Sequence, residues 1–237
     1  MHRPWTVAVA ILLAACANQP PTAPAPTSAV AISQPPNVGD ARDAALAYHD
    51  SGAYDRDLAA VARQADEWMA ARSGAAPRPA LVLDIDETAL SNWEVIVRDD
   101  FGRPIGGPCD LATDAPCGWA AWDQLGRDPA IAPTLDLFRQ ARRRGIDVFF
   151  ITGRPENQRA ATERNLRASG YVGYARLFMV PNGAHYASAA DFKAPVRAQI
   201  EQLGYQIIAN VGDQPSDLHG GHAERDFLLP NPFYRVK

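Results

Sequence analysis

Three apolar runs in this chain stop abruptly at polar clusters. Ala80-Leu81-Val82-Leu83 leads into Asp84-Ile85-Asp86-Glu87-Thr88, and Ile146-Asp147-Val148-Phe149-Phe150-Ile151 into Thr152-Gly153-Arg154-Pro155. Tyr205-Gln206-Ile207-Ile208-Ala209-Asn210-Val211 leads into Gly212-Asp213-Gln214-Pro215-Ser216-Asp217. Short runs of this kind read as buried strands. Helical patterns are expected over 133–144, 155–168 and 191–203, with further strands at 175–180 and 227–229. Repeated strand-helix units bury both faces of a sheet and cross over right-handed. The expected fold class is therefore α/β, a doubly wound, mostly parallel, Rossmann-like sheet with helices on both faces. Ligands bind such sheets beyond the carboxyl ends of the strands. Asp84, Thr152 and Asp213 each fall at one of those ends, so one shared site is expected.

Two amphipathic segments, Asp43 to Tyr48 and Asp55 to Ala71, precede the first strand, and Ser73-Gly74 stops the second of them. Residues 89–131 break the alternation and hold Trp93, Trp119 and Trp122 among many Gly and Pro. This insertion is the candidate cap over the site, with some of its tryptophans forming a small core. The net charge of −4 over 237 residues gives no footprint for nucleic acid. Arg142-Arg143-Arg144 is the one basic run, and it reads as a solvated helix end. His219-Gly220-Gly221-His222 lacks the scaffold of a metal site and reads as a solvated loop, with His185 structural or on a rim.

Asp84 and Asp86 lie two residues apart at a strand end, and two acids so placed need a cation or a shared proton. A nucleophilic carboxylate working beside Mg²⁺ needs such an arrangement. Strand-Asp-x-Asp, strand-Thr-Gly-Arg, Lys193 and strand-Gly-Asp-x-x-x-Asp, in that order, resemble the haloacid dehalogenase superfamily. The stretches Asp84 to Trp93, Gly212 to Leu218 and Leu229 to Tyr234 are similar to its acid phosphatase branch, the class C bacterial and plant-type enzymes that include vegetative storage proteins. The resemblance covers about residues 40–237. It implies a phosphomonoesterase working through an aspartyl-phosphate on Asp84, with Asp86 as proton donor and acceptor and Thr152 and Lys193 as further catalytic groups. It implies substrate contacts from Gly153, Arg154 and Asn92. Mg²⁺ is expected on Asp84, Asp213, the Asp86 backbone carbonyl and Asp217, the last directly or through water. Nucleoside monophosphates are a candidate substrate, with Trp93, Trp119 and Trp122 equally able to grip a base or fill a core. The alternative is a non-catalytic storage or binding protein of the same fold. Nothing in the sequence marks an oligomeric state.

At the amino terminus, His2 and Arg3 precede an apolar stretch from Trp5 to Ala15 that is too short to span a bilayer. Leu13-Ala14-Ala15-Cys16 resembles the lipobox of bacterial lipoproteins. The resemblance implies a signal peptide over 1–15, lipidation of Cys16, and a Pro/Ala-rich tether over 16–39. Ala17, rather than an acid, implies sorting to the outer membrane, facing the periplasm. With Cys16 lipidated, Cys109 and Cys117 remain as an even pair in an oxidising compartment, so a disulfide is expected between them. No His or further Cys lies in that loop to make a zinc site. Cys16→Ser should release the protein from the membrane fraction, because one residue carries the anchor. Continued sedimentation with membranes, reversed only by detergent, would show that the lipobox reading is mistaken.

Overall fold

The computed structural model describes residues 34–237; Cys16, the expected signal peptide and most of the expected tether lie outside them. Five strands, β1 (Pro79–Leu83), β2 (Asp147–Pro155), β3 (Arg176–Val180), β4 (Gln206–Gly212) and β5 (Asp226–Leu228), form one sheet in the order β3-β2-β1-β4-β5. Every pairing is parallel. Side chains alternate between the faces. Leu81, Leu83, Val148 and Phe150 pack with Leu58, Met69 and Phe138 on one side, beneath α2 (Ala53–Arg72) and α5 (Ala132–Arg143). Ala80, Val82, Phe149 and Ile151 pack with Phe192, Val196 and Ile200 of α7 (Ala190–Gln202) on the other. Strands covered on both faces read as unbroken apolar runs. Each large side chain so buried is worth roughly 1.5–3 kcal/mol of transfer free energy. The doubly wound α/β sheet expected from the sequence is the one formed. No helix among the described residues is long and apolar enough to cross a membrane.

Two local expectations need correcting. β2 does not end at Ile151; it continues to Pro155, which pairs with Val180 after a register shift. Pro155 is extended (φ −76°, ψ 157°), and α6 (Arg159–Ala168) begins only after a 3-10 turn at Glu156–Gln158. A residue before proline is pushed out of the helical region, so Arg154 stays extended and carries the strand onward. The arginine run is not merely solvated. Arg144 pairs with Asp66 of α2 at 2.5 Å and Arg142 with Asp147 at 3.4 Å, so the end of α5 is tied to its neighbours.

The insertion folds into α3 (Trp93–Arg98) and α4 (Trp119–Leu125) with an irregular loop between them. Cys109 and Cys117 are joined by a disulfide. Arg98 reaches into the same loop, donating to the carbonyls of Ala115 at 2.9 Å, Asp110 at 3.0 Å and also Thr113. Asp99 accepts from the Cys117 amide at 2.7 Å. The loop is thus cross-braced to α3. Trp122 is buried, and Trp93 stacks on His49 of α1 (Val38–Asp50) with ring centroids 3.5 Å apart. Replacing both cysteines by Ser should lower stability by about 2–3 kcal/mol, as expected for releasing a loop this short. Denaturant midpoints of the oxidised protein and the double variant test this, and alkylation of both thiols before any reductant is added would disprove the bridge.

Candidate active site

The first turn beyond β1 begins with Asp84, whose amide donates to the Val211 carbonyl at 3.0 Å and so locks the residue to β4. Lys193 comes from α7 and is almost wholly buried. Its Nζ donates to Asp84 Oδ1 at 2.5 Å and to Asp217 Oδ1 at 2.7 Å. Asp213 follows β4 directly, and Asp217 lies in the short helix α8 (Pro215–Leu218). Oxygens of Asp84, Asp213 and Asp217 all fall within 4.8 Å of one another.

Local sequence explains the close approach. A Cβ on Gly212 would stand 2.5 Å from Cβ of Asp217, so a glycine there lets α8 fold back against the strand. Arg197, one turn beyond Lys193 on the same helix face, donates to the carbonyls of Asp217 at 2.6 Å and Gly221 at 2.8 Å. Pro215 opens α8, and Asp217 Oδ2 accepts from the Gln214 amide at 2.9 Å. Asp213 is held by three donors: Gln214 Nε2 at 2.5 Å, Asn231 Nδ2 at 2.6 Å and the Thr88 hydroxyl at 3.3 Å.

Three buried carboxylates face one ammonium, and the titration behaviour reflects the shortage of positive charge. Burial, with repulsion from Asp217, Asp213 and Asp86, pushes Asp84 well above the usual carboxylate range despite Lys193. Burial and then Asp217 push Asp213 up to about 8 against the Asn231 and Gln214 hydrogen bonds. Burial alone would lower Lys193, but Asp217 and Asp84 outweigh it and keep it charged. Surplus negative charge on hard oxygen donors suits a divalent cation such as Mg²⁺, so these residues fit the expected metal.

Asp86 lies one turn further along. Arg154 holds it in a forked pair, Nη2 at 2.6 Å and Nε at 3.1 Å from Oδ1 and Nε at 3.2 Å from Oδ2. Burial raises the Asp86 pKa, but Arg154, Asn92 and Arg103 outweigh burial and hold it below its ordinary value. Arg154 Nη2 also meets Asp128 at 3.1 Å and Asp123 at 3.4 Å. Asp84, Asp86, Gly153, Arg154, Lys193, Asp213 and Asp217 line one cavity of about 270 Å³.

Thr152 and Asn92 stand apart from the cavity wall. Thr152 is fully buried, and its hydroxyl accepts from the Arg154 amide at 3.1 Å. Asn92, expected among the substrate contacts, is a correction. It is fully buried, donating to Asp86 at 2.9 Å and to Glu87 at 3.3 Å while accepting from Trp122 Nε1 at 3.1 Å. Its polar atoms are spent on orienting the first motif. Of the three cap tryptophans, only Trp119 lines the cavity.

Sequence reasoning assigned no role to several groups that build the site. Glu87 is buried at φ 49°, accepts from the Asn92 amide at 2.6 Å and meets the Tyr234 hydroxyl. Burial first, then Asp86, raises Glu87 to about 8. Asn231 holds Asp213, and Asp123, Gln158 and Arg103 line the cavity. The Leu229 to Tyr234 stretch was visible as a family-like segment, but its contact with the centre is long-range.

A parallel sheet that brings an Asp-x-Asp turn, a lysine and a second acid pair to one cavity defines a protein of the haloacid dehalogenase fold. Residues 16–237 match the HAD superfamily, subfamily IIIB (acid phosphatase), and the chain belongs to that family. "Acid phosphatase 1" of Solanum lycopersicum is 32% identical over 160 residues, which are 67% of this chain and 60% of that protein. "Vegetative storage protein 1" of Arabidopsis thaliana is 30% identical over 156 residues, 65% of this chain and 54% of that one. The chain thus spans about 60% or less of the length of these relatives. The class C acid phosphatase from Bacillus anthracis has a similar fold, with a TM-score of 0.65 at 20% identity over 83% of this chain and 85% of that one.

A carboxyl whose pKa is higher folded than unfolded retains a proton that the unfolded chain gives up. Between the ordinary value of 3.8 and about 8 for Asp213, rising pH therefore favours the unfolded state. In chelator, the melting temperature should fall from pH 5 to pH 8, and added Mg²⁺ should restore it most at the high end. Asp213→Asn should flatten this slope and weaken the Mg²⁺ effect. A metal-free melting curve that is level across this range would contradict the charge shortage.

Proposed function

We propose that this protein is a Mg²⁺-dependent acid phosphatase that hydrolyses phosphomonoesters through an aspartyl-phosphate on Asp84. The observation that carries the reading is the short Lys193–Asp84 contact on the floor of a cavity whose other acids fit a divalent cation. Lys193 neutralises incoming phosphate and fixes the rotamer of Asp84. The second Asp84 oxygen, free of Lys193, attacks phosphorus, and the alcohol oxygen departs with a proton from Asp86. Asp86 then takes a proton from the water that cleaves the acyl-phosphate. In the ligand-free site Arg154 keeps Asp86 ionised; a dianionic phosphate beside it raises its proton affinity, which suits an acid needed only with substrate bound. Asp84, Asp213 and the Asp86 carbonyl, with Asp217 directly or through water, would hold Mg²⁺, whose charge would draw electrons from the phosphoryl oxygens.

The tomato relative's printed name supports phosphatase activity. The Arabidopsis storage protein supports the second reading, a non-catalytic store. An intact Asp84 held by Lys193 favours catalysis. The lipobox-like Leu13 to Cys16 and the tether after it support an exported, lipid-anchored enzyme facing the periplasm. Nucleoside monophosphates belong in the substrate screen, and among the described residues Trp119 is the tryptophan that lines the cavity.

Asp84→Asn should lower kcat on p-nitrophenyl phosphate by about 10⁴-fold or more and form no phosphoenzyme. Asp86→Asn should still undergo the first step with this good leaving group. It should give a stoichiometric burst, slow turnover and, after acid quench, one phosphoryl group on the peptide holding Asp84. With a poor alkyl leaving group it should show neither burst nor adduct. An adduct on a Ser or His peptide would overturn the assignment.

A further inference from the structure

One part of the cavity carries polar atoms for which the phosphoryl chemistry supplies no partner. Asp123 projects from α4, Gln158 from the turn after β2, Trp119 from the start of α4 and Arg154 from β2, and all four line the cavity. Each carries one buried polar atom without a hydrogen-bond partner among the described residues: Asp123 Oδ1, Gln158 Oε1, Trp119 Nε1 and Arg154 Nη1. Asp123 Oδ1 meets Arg154 Nη2 in an ion pair at 3.4 Å, and the Gln158 amide beside the Asp123 carboxylate, which it helps to stabilise, donates to the Ala120 carbonyl at 3.3 Å. Of the nine such atoms among the described residues, these four belong to residues that line the cavity, where a ligand could pair with them and relieve the cost of burying them alone.

The unmet atoms decide the chemistry. Two are acceptors, a carboxylate oxygen and an amide oxygen, and two are N–H donors. An ammonium could serve only the acceptors, a carboxylate only the donors and a hydrocarbon neither. Hydroxyl groups donate and accept at once, so a polyhydroxylated group answers both kinds. Ile105 and the Trp119 ring, with Arg103 over it at 4.7 Å, give that group an apolar wall. At about 270 Å³ the cavity lies below the roughly 300–1,000 Å³ of sites for drug-sized ligands, and it must also admit the phosphate. A small alcohol fits this volume better than a nucleoside.

We propose that Asp123 and Gln158, with Arg154 and Trp119, form a hydroxyl-recognition subsite that directs the enzyme to small polyol and sugar monophosphates. The proposal rests on the phosphatase reading above and names its substrate class. Each orphan atom is almost fully covered, so the side chains must turn toward the ligand as it enters. The Asp123 contact is then a charge-assisted hydrogen bond from a substrate hydroxyl.

The test compares kcat/KM for glycerol 1-phosphate and propyl phosphate, which differ by two hydroxyls on the same three-carbon frame, with p-nitrophenyl phosphate and adenosine 5′-monophosphate as references. The wild-type protein should prefer glycerol 1-phosphate by about tenfold or more. Asp123→Asn and Gln158→Leu should each pull that ratio toward unity, whatever they do to the absolute rates. An active wild-type enzyme that treats the two alkyl esters alike would sink the subsite and leave the phosphatase reading standing. So would variants that slow both esters equally, or adenosine 5′-monophosphate surpassing glycerol 1-phosphate tenfold. A wild-type protein inert toward p-nitrophenyl phosphate would sink both.

Discussion

Lys193 is the cation on which the rest of the centre depends. It is buried, so its charge is tolerable only because Asp84 and Asp217 lie within hydrogen-bond distance. Those carboxylates are equally buried, and among the described residues neither has another cation in contact. Removing the ammonium would leave uncompensated charge in the interior, a change of the kind that costs about 3–5 kcal/mol. The same bridge ties together three elements: the end of β1, the first turn of α7 and the short helix after β4. In the phosphatase proposed here, function and local stability therefore share one interaction, and neither can be relaxed without the other.

Around this bridge the three acids differ in how many donors hold each of them. Asp213 has three donors and Asp217 two, which leaves Asp84, with one side-chain donor, the least restrained oxygen in the cluster. That is the property a nucleophile needs, since every hydrogen bond to a carboxylate oxygen lowers its basicity. The chain's last segment does part of the restraining. Asn231 binds Asp213, and Tyr234 binds Glu87, which in turn fixes Asn92 and through it Asp86. Residues more than 140 positions apart thereby settle the direction of the Asp86 carboxylate.

The sheet was legible in the sequence because both its faces are covered, so its strands read as continuous apolar runs ended by polar clusters. Asp84, Asp86, Asp213 and Asp217 were legible because each is locally coded just beyond a strand end, and Lys193 through its place in the order of the family-like motifs. What was not legible is contact set by tertiary packing. Nothing local says that Asn92 faces inward toward Trp122, that Pro155 ends a strand instead of opening a helix, or that Asp123 meets Arg154. Arg154 shows the difference most clearly. Its place after Thr152-Gly153 suggested a substrate contact, yet the guanidinium is forked onto Asp86, and the acids that share it come from 123 and 128, outside any motif.

That shared guanidinium has a consequence for how cap and core act together. Arg154 is on the sheet, Asp86 on the turn after β1, and Asp123 on α4, so one buried cation is divided between the proposed proton-transfer group and the inserted helix. Burial pushes Asp123 up to about 7 against Arg154, while Asp86 is held low by the same group. The two acids thus compete for one positive charge. A ligand that engages Asp123 weakens its claim on Arg154 and strengthens the pair with Asp86; a cap that lifts away does the same. Conversely, phosphate arriving beside Asp86 draws Arg154 toward itself and loosens both acids. Under the phosphatase reading, the protonation of Asp86 therefore answers to what fills both halves of the cavity, and Asp123 bears on the proposed chemistry through charge without touching the phosphorus.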